Sequence, residues 1–165
     1  MTLTRRMLVL LFAATPVIAA APAPKVVGTW TLVSATSTDD KGQGMRAPYG
    51  KSPSGMLIYN ADGSMSIVIS NEGRKPLSVA DREAAPAEER AQAFASFLAY
   101  SGHYKVVGDK ITHHIEVSSV QNWVGSDLVR SVQVKDDRLV LRTPPTTLGG
   151  RLQIVELAWQ RARPD

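Results

Sequence analysis

No cysteine occurs in the 165 residues, so a disulfide framework, a thiolate nucleophile and a cysteine metal cage are closed to this chain. Aromatic residues are scarce at 6%, and each buried one therefore carries an unusual share of the packing. Charge of one sign is not concentrated. The 19 Lys and Arg stand against 15 Asp and Glu, dispersed and without a five-residue basic block, so no nucleic-acid partner is expected. A G-x-S-x-G turn, a P-loop and a dinucleotide fingerprint are all missing. An enzyme on this chain would work by acid–base chemistry and positioning, with no organic cofactor or covalent intermediate.

One apolar run is present, at the start. Arg5 and Arg6 precede Met7 to Phe12, the run continues through Ala14, Val17 and Ile18, and Ala19-Ala20-Ala21 follows. A positive start, a short apolar middle and small residues describe a secretory signal peptide over residues 1–20. The run is broken by Thr15-Pro16 and is shorter than the ~20 residues of a spanning helix. No stable membrane insertion is expected once the leader is removed, and the location expected is periplasmic or secreted. Arg5-Arg6 suits twin-arginine export and the general route alike. Without the leader the formal charge of +4 falls to +2. Residues 21–25 are a Pro/Ala spacer, and residues 26–162 form one domain. About 145 residues can bury roughly two-thirds of their unfolded surface, enough for a core without disulfides.

Strand signals dominate that domain. Val26–Ser34, Gly55–Tyr59, Ser64–Ser70, His103–Val107, Lys110–Val117, Asp127–Lys135, Arg138–Thr143 and Arg151–Arg161 are β-branched or alternating segments. Pro86 opens a helix with Glu88 and Glu89 in its first turn, apolar at Ala87, Ala91, Phe94 and Phe97/Leu98 and closed by Gly102. The expected fold is all-β: an eight-stranded antiparallel up-and-down barrel with one helix between strands 3 and 4. Closure leaves no unpaired edge, and eight strands either fill with side chains or enclose one small ligand. A sandwich is the alternative.

Tight turns at Gly108-Asp109 and Asp136-Asp137 fix register. They pair Tyr104 with His113, Val132 with Leu141 and Arg130 with Thr143. Tyr104, Val106, Ile111, His113, Ile115 and Val117 then face the lumen, and so does Arg130 beside Leu128, Val132 and Val134. Met56, Ile58, Met65, Ile67 and Ile69 are expected on one inward face. An inward guanidinium needs an internal partner, a wet mouth or an anionic ligand; a rim arginine reaching solvent is the other possibility. His113 and His114 point to opposite faces and cannot chelate one ion. His103, His114 and Glu116 share the outer face, but Lys105 stands among them and nothing excludes water, so no metal is expected. Asn122-Trp123-Val124-Gly125 is a loop tip with an exposed-looking Trp, either a lid over the mouth or a packed plug.

Gly28-Thr29-Trp30 resembles the G-x-W signature of lipocalins. Together with APYG, SPSGMLIYNADGSMS, FLAYSGHY, THHIEVS, NWVGSDLVR and TPP, it makes the chain similar to the bacterial and fungal lipocalin-like domain family. The resemblance implies barrel closure by an arginine stacked on the tryptophan, here Arg161 on Trp30 with Gly28 alongside. The helix stands between strands 3 and 4 rather than after strand 8, so ligand roles from transport lipocalins do not carry over, and the family implies a fold more than an activity. Three readings remain. The first is an exported binder of a small hydrophobic or amphipathic molecule with a polar or anionic group. Arg130, His113 and Tyr104 would orient that group beside Thr143 and Asn122; Met56, Ile58, Met65, Ile67 and Trp123 would pack the rest. The second is a cofactor-free isomerase or cyclase in the same lumen. The third is a filled barrel with only a structural role. Oligomeric state is not readable from the residues.

Overall fold

The β-branched segments pair into one sheet that closes on itself. The computed structural model describes residues 25–163; the leader expected at 1–20 and most of the expected spacer lie outside the described residues. The strands are β1 (Gly28–Thr38), β2 (Ser54–Tyr59), β3 (Ser64–Ser70), β4 (Phe97–Val107), β5 (Lys110–Ser118), β6 (Asp127–Lys135), β7 (Arg138–Arg142), β8 (Thr146–Leu148) and β9 (Arg151–Arg161). Neighbours pair antiparallel from β1 to β7, β7 pairs with β9, and β9 closes on β1. This is a closed eight-stranded barrel with helix α1 (Ala87–Ala95) between β3 and β4. β8 stands outside the cycle, an unexpected three-residue arm folded back on β9 through Gly149-Gly150.

The tight turns set the registers they demand: Tyr104 opposite His113, and Val132 opposite Leu141. Three departures from the sequence reading have physical causes. First, α1 ends at Ala95 rather than Gly102. The Ser96 hydroxyl donates to the Gln92 carbonyl at 2.7 Å, and Leu98 and Tyr100 pair with Ile69 and Ile67 of β3. Sheet pairing outweighs the helical spacing of Phe94 and Leu98, and α1 buries none of its side chains.

Second, the β2–β3 turn is one residue shorter than the expected one. The Asn60 N–H donates to the Ser64 carbonyl, leaving a three-residue loop with Gly63 at φ 90°. Tyr59 then faces Met65 and Leu57 faces Ile67. Met56 and Ile58 fall on the outer wall opposite Val68 and Ser66, Met56 being 47% exposed. Third, bulges reset parity. In β5, Glu116 is skipped between Ile115 and Val117, which sends Val117 to solvent at 66% exposure. Gly102 sits at that bulge because a Cβ there would collide with the His114 carbonyl.

Trp30, Leu57, Ile111, Ile115, Leu139 and Trp159 are fully buried. Gly28, Trp30 and Arg161 meet at the base. The Arg161 guanidinium lies 4.1 Å from the Trp30 ring, and its Nη1 and Nη2 donate to the carbonyls of Val27 and Lys25 at 2.8 and 3.3 Å. Gly28 is required twice over, since its φ is +135° and a Cβ would stand 2.5 Å from Arg161 Nη1. Arg161→Leu removes the stack and both carbonyl bonds, and is expected to cost about 2 kcal/mol in urea unfolding. Arg161→Lys should recover only part, because an ammonium neither stacks as a plane nor spans two carbonyls.

Candidate functional site

At the end away from the Trp30–Arg161 base the barrel holds a cavity of about 300 Å³. Ile67, Ile69, Leu98, Leu128, Val155 and Leu157 supply apolar wall, and Tyr49, Tyr100 and Trp123 supply aromatic wall. Tyr100 and Trp123 meet edge-on at 5.9 Å. The β8 arm forms part of the rim. A cavity this size sits at the lower end of small-molecule sites, near 300–1,000 Å³, which suits one substituted ring.

Arg130 reaches this cavity from β6, where alternation puts it on the inner face. It is only 9% exposed. Its Nη2 donates to the Tyr100 hydroxyl at 3.2 Å, and its Nε is buried without a partner. Arg130 takes part in none of the ion pairs found among the described residues. The other buried donor lacking a partner is the Trp159 indole N–H, which does not line the cavity. Asp127 is the acidic residue on the lining, and its carboxylate is held by His114 at 2.8 Å.

Behind Tyr100 runs a buried polar chain. The Tyr100 hydroxyl lies 3.1 Å from His113 Nδ1, and His113 Nε2 lies 2.6 Å from the Tyr59 hydroxyl. Burial, with Arg130 adding repulsion, lowers the His113 pKa to about 3, so the ring is neutral at ordinary pH. Burial likewise raises the Tyr59 hydroxyl well above its usual range, with Tyr100 adding to the shift and Arg130 opposing it. The Tyr49 hydroxyl is raised for the same reasons. The interior therefore carries one permanent charge, and it is positive.

Of the residues singled out from sequence, Arg130, Thr143, Trp123 and Ile67 line the cavity. His113 does not; it is sealed behind Tyr100 with no exposed surface. Tyr104 is displaced to the base, where its hydroxyl donates to the Asn60 carbonyl at 2.9 Å and its ring lies 4.6 Å from Tyr59. Met65 is buried in the core but is not on the lining. Asn122 is exposed in the 3-10 turn Gln121–Trp123. Met56 and Ile58 lie outside the barrel, so they pack nothing within it. Three groups were missed: Tyr100, Tyr59 and Tyr49. The alternation Leu98-Tyr100-Gly102 signalled the first, and the glycine turn at Gly63 signalled the parity of the second. Tyr49 sits in an irregular loop, where no periodicity points inward.

On the outer wall His103 pairs with Glu116 at 2.9 Å, and His114 with Asp127 at 2.8 Å. These are two separate pairs. Among the described residues no three His, Cys, Asp or Glu side chains converge as a metal site.

A family model described as a lipocalin-like domain matches residues 27–162. A 4'-hydroxy-3'-methoxypropiophenone carrier protein of Aspergillus oryzae is 34% identical over 100 residues, covering 55% of this chain and 85% of that relative. No solved structure matches the chain significantly.

Proposed function

The chain belongs to the lipocalin-like domain family, and from that membership we propose that it carries a small, largely apolar molecule whose polar group is held at Arg130 and Tyr100. The observation that carries this reading is the Arg130 guanidinium, nine-tenths buried against a cavity and without an ion-pair partner among the described residues. Such a charge is costly unless a ligand completes its bonding. The relative's name denotes an aryl ketone with a phenol and a methoxy group. A ligand of that kind matches the aromatic wall of Tyr49, Tyr100 and Trp123 and the oxygen-binding end at Arg130. The isomerase or cyclase reading needs a base within reach of the ligand. His113 is sealed off, and its pKa of about 3 makes it a weak one. The proposal also has the carrier act outside the cytoplasm, after loss of residues 1–20.

Native mass spectrometry of the full chain expressed in an exporting host tests both parts. The expected result is a mass lacking the leader, and a saturable 1:1 complex with 4'-hydroxy-3'-methoxypropiophenone. Affinity should be on the order of micromolar, reasonable for so small a ligand. A retained leader overturns the export part; no complex with this compound or with other small aryl ketones overturns the carrier reading.

A further inference from the structure

The hydrogens of the buried chain can be counted. Neutral His113 carries one N–H, and Tyr59 and Tyr100 carry one O–H each, so three hydrogens serve two contacts. One hydrogen is left over, on whichever phenol accepts from the imidazole. If Nε2 were the protonated nitrogen, the spare hydrogen would be on Tyr59, which is 1% exposed and has no other side-chain hydrogen bond among the described residues. If Nδ1 is protonated, the spare hydrogen is on Tyr100, which borders the cavity. The distances decide in the same direction. The 2.6 Å contact is an O–H donating to Nε2, and the 3.1 Å contact is an N–H donating to the Tyr100 oxygen. With Arg130 donating to that oxygen as well, both of its lone pairs are used and its hydrogen is free.

The ligand end of the cavity is therefore built of donors: the Tyr100 O–H and the Arg130 guanidinium. The other titratable groups bordering it, Tyr49 and Asp127, do not neutralise it. Tyr49 stays protonated, and Asp127 is a rim carboxylate, 60% exposed and turned to His114. An oxygen entering beside Arg130 meets one positive charge and the Tyr100 hydroxyl as a donor.

On the carrier reading above, the geometry points to an oxyanion as the bound form: an acyl-substituted phenol taken as its phenolate, the charged oxygen shared between Arg130 and the Tyr100 hydroxyl. In a para-acyl phenolate the charge spreads through the ring to the ketone oxygen, so either end of the molecule can occupy the site. An adjacent guanidinium lowers the ionisation of an oxygen acid by about one to three pH units, and the bound phenol should shift accordingly.

The probes are 4'-hydroxy-3'-methoxypropiophenone and its O-methyl ether, which cannot ionise. Each is titrated with the purified chain at a pH about one unit below the ionisation of the free phenol. The expected result is the red-shifted phenolate absorption band appearing on binding, with the ether bound at least tenfold more weakly. Tyr100→Phe keeps the ring but removes the donor. It should weaken the phenol at least tenfold and the ether by clearly less, because a bond to a charged oxygen contributes more than one to a neutral ketone, a split that mere misfolding would not give. If both compounds bind equally and the phenol keeps its neutral spectrum, the oxyanion inference falls while the carrier reading stands. If neither binds, both fall for this ligand class.

Discussion

Arg130→Met should bind an acyl phenol at least 100-fold more weakly and yet resist urea better than the parent. The two effects have one origin. A hydrogen bond to a charged group contributes about 1.5–3 kcal/mol, and the guanidinium offers more than one to an incoming oxygen, so a hundredfold loss, about 2.7 kcal/mol, is a modest expectation. In the empty protein the same group is 9% exposed, holds one neutral phenol oxygen and leaves Nε unbonded. Replacing buried charge by an apolar side chain of similar volume commonly stabilises by about 1–4 kcal/mol. Methionine fills the space and follows the irregular wall. Tyr100 keeps its contact to His113, so no second group is orphaned. Binding is read from quenching of Trp123, which lies on the cavity while Trp30 and Trp159 are fully buried. Stability is read from the urea midpoint. A variant that unfolds earlier and binds as before would make Arg130 a structural residue and remove the basis of the proposed function.

The same residue marks how far sequence reasoning reached. Arg130 could be assigned inward because two-residue turns leave register no freedom, and Asp136-Asp137 lies only a few residues away. Register was lost where a residue is skipped or a turn is one shorter than expected. The three-residue loop ending at Gly63 exchanged Met56 and Ile58 for Leu57 and Tyr59. The skipped Glu116 expelled Val117. In β2 both parities are apolar, Met56 and Ile58 against Leu57 and Tyr59, so hydrophobicity could not arbitrate; in β5 the alternation of Ile111, His113 and Ile115 runs on to Val117, and the pattern carries no sign of the bulge. The costlier error was at Phe97 to Ser101, which continues the helical spacing of α1 yet belongs to β4. That spacing hides Tyr100 and leaves Tyr104 as the phenol the local pattern offers beside His113. The two are four residues apart on one strand and share a face, but only Tyr100 lies toward the mouth. Long-range pairing with Ile67 and Ile69 decides the matter, and no local window contains it.

His113 should make the protein acid-sensitive well before its carboxylates do. In the unfolded chain the imidazole takes up a proton near pH 6.5, but in the folded state it does so only near pH 3. Between those values the unfolded state binds more protons, so stability present above pH 6.5 is lost as the pH falls. The steepest loss from one such group is about 1.4 kcal/mol per pH unit, which amounts to a few kcal/mol between pH 6.5 and pH 4. The cause is burial first, with the Arg130 charge second. Protonation would also give the ring a hydrogen on both nitrogens, and the Tyr59 hydroxyl could no longer donate to Nε2. His113→Gln keeps a polar side chain but does not titrate. It should be less stable than the parent at pH 7 and lose that disadvantage steadily toward pH 4. Urea midpoints of both proteins at each pH give the comparison. Groups common to both cancel, including Asp62, whose carboxyl is held below its usual range by the Ser64 N–H and hydroxyl. Two curves that stay parallel from pH 7 to pH 4 would mean that His113 is solvated in the native state, and the buried Arg130–Tyr100–His113–Tyr59 chain would no longer stand.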